Sequence, residues 1–373
     1  MSSAVASLAP VASNDDLPDS VSTAVAVLAR KMLLPIAADI DQGDVYPADF
    51  LKEIGTVGAW SSHRPIAGAA DLRCAIQTIA ALGEVCGSTA FMAWCQSTLA
   101  WYVTNSGNAA LVARFADSVS SGRTLGGTGL SNPMKSFFGI EKLKLKGRKV
   151  EGGFIVKGVL PWVSNLGPDH LFGTIFERED APGEMTMFLA DCANPNVTLQ
   201  ACKPFLAMDG TGTYGVQFRD VFVPDELVLA EHAPSFVKKI RAGFILLQIG
   251  MGLGLIRDCI AIMHGVATPL GHVNRYLQQQ PVDFEALLSQ LEIETMVLAR
   301  DPYNPDEKYW RAVVALRLRA GEASVAAAHA AMLHCGARGY LKSHRAQRRL
   351  RESYFVAIVT PATKQLRKML AEH

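Results

Sequence analysis

The first third of the chain carries apolar residues at helical spacing. Val21, Val25, Leu28 and Met32 recur every three to four positions, as on one face of an amphipathic helix. Residues 75–82 and 89–103 contain no charged side chain, which predicts helices buried on most sides. The pattern predicts a helical N-terminal domain over residues 20–123. A flexible tail rich in Ser, Ala, Asp and Pro is expected at residues 1–19.

The pattern changes after Gly122, where short β-type runs alternate with glycine turns. The predicted strands are residues 142–146, 154–156, 171–177, 186–190 and 214–218. Their number and spacing predict a central β-barrel-like domain over residues 124–232.

Helical spacing returns after Pro234 and continues to the C-terminus. The predicted helices are residues 237–263, 284–300, 306–335 and 345–371, with breaks near Pro269, Pro302 and Gly336. They predict a C-terminal four-helix bundle over residues 233–373. The expected fold class is therefore α+β, in the order helices, β-domain, bundle.

Composition narrows the choice of partners. The 373 residues include 36 Lys and Arg against 35 Asp and Glu, which argues against nucleic acid or an anionic membrane as a partner. The longest apolar run, residues 242–256, contains four glycines and is too short to span a bilayer. Seven scattered cysteines without a CxxC pair predict neither a disulfide framework nor a zinc site, so we expect no metal and a cytoplasmic location.

Several short motifs carry a family resemblance that covers residues 20–373. Gly129–Pro133 resembles the L-T-E-P segment, and Gly158–Asn165 the G-x-K-x-W-I-T-N strand, of acyl-CoA dehydrogenases. Lys203–Thr211 is similar to the end of that family's β-domain. Gly336–Tyr340 resembles its G-G-x-G-Y turn, and Arg241, nine residues before Gly250, its first C-terminal helix. The resemblance implies the acyl-CoA dehydrogenase fold and FAD as cofactor.

The resemblance also implies which residues bind the cofactor. Backbone N–H groups, two serine hydroxyls and an indole suit the polar edge and flat face of an isoalloxazine ring. The residues expected to face the ring are Leu130, Ser131, Trp162, Val163 and Ser164. Ser136 and Arg275 are expected near the phosphates, and Gly336 and Gly339 near the dinucleotide of a neighbouring subunit. Taken alone, Trp162 would be a core residue, Ser164 a turn hydroxyl and Arg275 an exposed loop residue.

The chain departs from the family at the catalytic base. Thr360 occupies the position of the usual glutamate, and Ile240 the alternative position on the first bundle helix. A threonine hydroxyl is not a base near neutral pH without a partner. Other titratable residues of the bundle are candidates, but none is assigned: Glu352, Asp258, His264, His272 and His334.

Two cofactor motifs are also weak. Asn274–Leu277 stands where the family has R-x-x-F-G, so that Arg275 is a substitute for its pyrophosphate-binding arginine. Met134–Phe137 replaces the glycine-rich A-G-S-D and leaves Ser136 as the candidate phosphate contact.

Three functions follow from the resemblance and its exceptions. The first is an FAD-dependent dehydrogenase that oxidises an acyl thioester by hydride transfer to flavin N5 and passes electrons to an electron-transfer flavoprotein. The second is a flavin-dependent monooxygenase that receives reduced flavin, FAD or FMN, from a separate reductase and acts on another small molecule. The third is a non-catalytic subunit of a mixed oligomer. In each case the family implies a homo- or hetero-oligomer, dimer or tetramer; the substrate is not predicted.

Overall fold

The computed structural model describes residues 19–202 and 204–372. Most of the predicted tail, residues 1–18, and Lys203 of the family motif lie outside the described residues. The described chain contains helices, then a mixed sheet, then helices, so the predicted α+β fold class is confirmed.

The N-terminal part is helical. Its helices are α1 (Asp19–Leu28), α2 (Ala37–Gln42), α3 (Ala48–Thr56), α4 (Arg73–Gly83), α5 (Gly87–Asn105) and α6 (Ala109–Ser120). A π-turn and a 3₁₀ turn connect α1 to α2. Helices α4 and α5 contain the two uncharged runs and are buried along most of their length, as predicted.

The middle of the chain forms one eight-stranded mixed sheet, together with the short helix α7 (Ser131–Phe137) and a 3₁₀ turn at Asp225–Leu227. The strands are β1 (Gly126–Thr128), β2 (Leu145–Val150), β3 (Gly153–Val163), β4 (Leu171–Arg178), β5 (Met185–Asp191), β6 (Val197–Ala201), β7 (Tyr214–Pro224) and β8 (Val228–Ala230). The order is β6-β7-β3-β2-β4-β5-β8, with β1 parallel to β4. Strands β1, β6 and β8, of three to five residues, are not predicted from the sequence because such short runs show little alternation.

The sheet curls around its own apolar core. Phe218 of β7 lies 6.2 Å from Phe172 of β4 and 6.1 Å from Phe188 of β5, measured between ring centroids. Strands β7 and β4 are separated in the sheet by β3 and β2, so these contacts require strong curvature. The curvature explains the barrel-like pattern of the sequence.

The C-terminal part is helical again. Its helices are α8 (Ala233–Gly265), α9 (Ala267–Asn274), α10 (Pro281–Leu298), α11 (Glu307–Cys335), α12 (Arg345–Ile358) and α13 (Thr363–Glu372), with a 3₁₀ turn at Gly336–Tyr340.

The structure corrects the predicted bundle in two places. The predicted helix 345–371 is two helices, α12 and α13, because Pro361 lacks an N–H group and disfavours helical geometry at Thr360. The predicted break near Pro269 is present at Val266, but it is followed by the unpredicted short helix α9, and Pro269 lies in its first turn, where a missing N–H group costs nothing.

Helix α8 joins the two helical parts into one core. A Cβ atom on Gly250 or Gly254 would lie 2.6 Å or 2.1 Å from the carbonyl oxygens of Ile76 and Ala80 in α4. The glycines of this apolar run therefore let two helix backbones approach closely.

Two segments, Ser20–Gln42 and Ala233–Gly265, are long and apolar enough to cross a membrane by length and composition alone. In the second, 89% of the most apolar window is buried inside the protein, as in the core helix of a globular protein; in the first, 22% is buried.

Candidate active site

The L-T-E-P-like segment begins a short helix, α7 (Ser131–Phe137), anchored on strand β4. The Gly129 N–H donates to the Gly173 carbonyl at 2.8 Å, and the Thr174 hydroxyl donates to the Gly129 carbonyl at 3.1 Å. Leu130 precedes the helix and is buried. The hydrogen bonds fix the backbone at the start of α7.

The end of β3 places four consecutive residues in different environments. Val163 is buried in the apolar core of the sheet, whereas the Trp162 side chain is 54% exposed. The Ser164 hydroxyl lies 2.7 Å from that of Thr213. Asn165 adopts a left-handed backbone conformation, donates to the Gly126 carbonyl at 2.6 Å and accepts from the Tyr46 hydroxyl at 2.8 Å. An exposed indole on a rigidly held strand end is suited to contact a planar ligand.

A lysine lies beside this indole. Lys135 of α7 has its Nζ 6.0 Å from the centroid of the Trp162 ring and 3.5 Å from a carboxylate oxygen of Glu141. Helix α7 and the end of β3 therefore form one surface.

The loop between α12 and α13 completes the arrangement. Thr360 is 9% exposed, and its hydroxyl lies 3.1 Å from that of Ser131. The Thr360 carbonyl accepts a hydrogen bond from Gln248 of α8 at 2.8 Å. Residues 229 positions apart thus meet at the start of α7.

Comparisons with known proteins agree with this geometry. Residues 19–123 match the family described as acyl-CoA dehydrogenase, N-terminal domain. The chain is 24% identical to the mitochondrial isovaleryl-CoA dehydrogenase of Oryza sativa, with 95% of this chain and 90% of that protein covered. It superposes on the butyryl-CoA dehydrogenase of Megasphaera elsdenii with a TM-score of 0.83 at 16% identity, covering 96% and 99% of the two chains. The FAD complex of PigA gives a TM-score of 0.79 at 14% identity, covering 96% and 98%.

The chain is similar to acyl-CoA dehydrogenases over nearly its whole length, and residues 19–123 match the model of their N-terminal domain. The resemblance inferred from the sequence motifs is confirmed, and with it the coarse class of flavoprotein oxidoreductases.

The two positions at which the family resemblance predicts a catalytic base hold no titratable side chain here. Thr360 is at the α12–α13 loop, next to Ser131. Ile240 is 1% exposed in α8, where its backbone carbonyl accepts a hydrogen bond from the Trp101 indole at 3.2 Å. The residues at both positions are held by packing and hydrogen bonds.

The two candidate carboxylates of the bundle are part of a buried ion network. Arg349 is fully buried and donates to Asp258 at 2.5 Å and to Glu352 at 2.7 Å. Burial lowers the pKa of Arg349, but the two carboxylates outweigh it and leave the pKa above its usual value. Glu352 also accepts from the Gly87 N–H at 3.2 Å, at the first residue of α5. Both carboxylates therefore have structural partners. Within the described residues, neither forms a hydrogen bond with Ser131 or Thr360.

Likewise, none of the three candidate histidines forms a hydrogen bond with Ser131 or Thr360 in the described residues. His334 is buried, with Nε2 3.0 Å from the Gln279 carbonyl, and its own carbonyl accepts from Asn274. His264 is exposed and lies 2.6 Å from Glu285. His272 is exposed on α9. We assign no catalytic role to any of them.

Three of the four candidate phosphate and dinucleotide residues, Arg275, Gly336 and Gly339, lie at one end of the helical bundle. Arg275 is exposed at the C-terminal end of α9 and donates to the Tyr276 hydroxyl at 2.9 Å. Gly336 ends α11 with a φ of 57°, and Gly339 is buried in the following turn. The Asn274–His334 hydrogen bond joins these two ends, whereas Ser136 lies in α7, beside the Trp162 surface. Their cofactor contacts stay predictions.

Two residues next to Thr360 are not indicated by the sequence motifs. Gln248 donates to the Thr360 carbonyl and accepts from the Arg317 guanidinium at 2.9 Å. Both are buried, and they belong to α8 and α11. In the sequence, Gln248 and Arg317 are recognisable only as polar residues within apolar helices, and this pattern does not indicate which residues they bind.

Two cavities lie away from these residues. One of about 210 Å³ opens between the start of α11 and the end of α13, lined among others by Trp310, Val314 and Met369. A shallower one of about 350 Å³ is lined by residues such as Lys52 and Arg123. No predicted site residue lines either cavity. Among the described residues, no group of three His, Cys, Asp or Glu side chains could hold a metal ion.

Proposed function

We propose that this protein is an FAD-dependent oxidoreductase of the acyl-CoA dehydrogenase type that oxidises an acyl thioester. One observation carries the proposal. Trp162 lies beside Lys135 of α7 and Thr360 contacts Ser131 at the start of the same helix, so residues that the family resemblance predicts at the flavin and at the base position lie around one short helix.

The residues of this surface suit a flavin. Trp162 offers a flat apolar face, while the hydroxyls of Ser131 and Ser164 and the backbone at Leu130 offer polar contacts beside it. When bound, FAD would accept the hydride that leaves the substrate. Ser136 and Arg275 are the proposed phosphate contacts, with Lys135 near Trp162 as an added positive charge.

The oxidation of an acyl thioester also requires loss of the α-proton. The Thr360 hydroxyl cannot take that proton near neutral pH, and the two candidate carboxylates of the bundle, Asp258 and Glu352, are paired with Arg349. We therefore expect no protein carboxylate to assist this step. The rate of flavin reduction should rise with pH without the plateau that titration of a carboxylate base produces.

The absence of a base favours a second candidate, a flavin-dependent monooxygenase. Such a reaction needs reduced flavin and oxygen but no removal of an α-proton. The specific observation is that Thr360 and Ile240, the two base positions, hold side chains that do not titrate.

An anaerobic titration of the FAD-loaded protein with a panel of acyl-CoAs tests the proposal. We expect bleaching of the oxidised flavin absorbance by at least one acyl-CoA, faster at higher pH. If no acyl-CoA reduces the flavin, the dehydrogenase proposal is wrong. Oxygen-dependent conversion of an added substrate by the chemically reduced protein would then support the monooxygenase.

We also propose a homo-oligomer, dimer or tetramer, in the cytoplasm, with an electron-transfer flavoprotein as electron acceptor. Helix α10 supports the assembly, because Val282, Ile293 and Val297 on it are 63%, 58% and 64% exposed. Light scattering after size-exclusion chromatography measures the assembly directly, and a monomer at micromolar concentration contradicts it.

A further inference from the structure

Arg317 is a buried arginine that has no carboxylate partner among the described residues. It lies in the middle of α11 and is 1% exposed. No Asp or Glu oxygen within residues 19–202 and 204–372 comes within 4.0 Å of its nitrogens. Burial lowers the pKa of Arg317 to about 10, so the guanidinium still carries its charge at neutral pH.

A buried charge of this kind is a poor means of stabilising a helix bundle. Its removal from water is costly, and an apolar residue of similar volume would fill the same space without that cost. The other two buried arginines of the described chain do have carboxylates beside them: Arg349 lies next to Asp258 and Glu352, and Arg348 has its Nε 3.7 Å from Glu352. The burial of Arg317 must therefore be explained by the hydrogen bonds that it donates.

Those hydrogen bonds hold both ends of the segment 356–360. Arg317 Nη2 donates to the Val356 carbonyl at 2.6 Å, in the last turn of α12, where carbonyls lack partners within the helix. Arg317 Nε donates to Gln248 at 2.9 Å, and Gln248 in turn donates to the Thr360 carbonyl at 2.8 Å. The cation also lies at the negative end of the α12 dipole.

The neighbouring sequence leaves room for the guanidinium. A Cβ atom on Gly321, one turn further along α11, would lie 2.8 Å from Arg317 Nη1. The planar fork of an arginine can hold two acceptors in fixed directions, which an ammonium group does less well.

We propose that Arg317, acting through Gln248, is a positioning residue that fixes the Thr360 loop against Ser131. The role rests on the proposed function, since it matters to catalysis only if the Ser131–Thr360 region faces flavin and substrate. Arg317 itself does not contact the reacting atoms; its effect is on the position of residues 356–360.

The position of the loop can be measured without flavin or substrate. The double change Ser131→Cys and Thr360→Cys places two thiols where the hydroxyls lie 3.1 Å apart, so oxidation should join them. Six of the seven native cysteines are buried; Cys202, which is partly exposed, is replaced by Ser in this background. Peptide mass spectrometry follows the rate of disulfide formation in the full-length protein.

We expect Arg317→Met and Gln248→Met each to slow the cross-link roughly tenfold or more, because an ångström-scale displacement strongly affects such reactions. Arg317→Lys should recover part of the rate. The matched control is Arg319→Met on the same helix, which removes a surface pair with Glu294 and should leave the rate unchanged.

Cross-linking of Gln248→Met at the parent rate overturns the proposal, whether or not Arg317→Met folds. In the FAD-loaded protein without the added cysteines, the same variants should keep their flavin content but lose the absorbance shift caused by an acyl-CoA. If the parent protein neither binds FAD nor responds to acyl-CoA, the proposed function is wrong. The cross-linking rates still test whether Arg317 positions the loop, because that assay uses neither flavin nor substrate.

Discussion

Trp162 offers the sharpest test of where the cofactor binds. Its side chain is 54% exposed at the end of β3, although Val163 next to it is buried. A buried aromatic side chain covers about 150–250 Å², so a flavin ring over the exposed part of Trp162 would bury roughly 80 Å² of it. At about 25 cal/mol per Å², this contact contributes about 2 kcal/mol.

The change Trp162→Ala should therefore raise the Kd for FAD about thirtyfold. Trp162→Phe, which keeps part of the apolar face, should raise it only a few-fold. The affinity is measured by titrating apoprotein with FAD and following flavin fluorescence. Protein stability should change little, because the side chain is largely outside the core.

Phe222 supplies a matched control. It is an aromatic residue on the neighbouring strand β7, 45% exposed and opposite Ile155 of β3. Phe222→Ala should leave the FAD affinity unchanged. If Trp162→Ala binds FAD within twofold of the parent protein, or if Phe222→Ala loses as much affinity, the assignment of the flavin to the Trp162 face is refuted.

Three further predictions concern the base position, the ion network and pH. Thr360→Glu should raise the rate at which a simple acyl-CoA reduces the flavin above that of the parent protein, and an equal rise in Thr360→Gln would contradict a role for the new carboxylate. Arg349→Met should lower the free energy of unfolding by about 3–5 kcal/mol, since it removes the closest cationic partner of two buried carboxylates and leaves them only Arg345 and Arg348, whereas Arg319→Met should cost less than about 1 kcal/mol; similar thermal shifts for both would contradict the network. Burial lowers the pKa of His63 from 6.5 to about 4, so the unfolded chain binds the extra proton first as the pH falls. The free energy of unfolding should therefore drop by roughly 3 kcal/mol between pH 6.5 and 4, and His63→Gln should reduce that drop; an unchanged pH dependence in this variant would count against it.

The sequence by itself determined the fold class and its order along the chain. Helical and alternating periods are local signals, and they indicated the buried helices α4 and α5 and the longer strands. Motifs such as Gly129–Pro133 and Gly158–Asn165 indicated the superfamily. They form a backbone turn and the end of a strand, whose geometry depends mainly on residues close in sequence. The prediction that Thr360 and Ile240 stand at the family's base positions, where neither side chain can act as a base, also followed from residue type alone.

Only the tertiary structure decided which of these residues meet. Thr360 and Ser131 are 229 positions apart, and no local pattern predicts that their hydroxyls lie 3.1 Å from each other. The pairing of Glu352 with Arg349, and the absence of any carboxylate beside Arg317 in the described part of the chain, likewise depend on how α8, α11 and α12 pack. Burial changes what a charge costs and which partner it needs, and burial is a property of the packed helices.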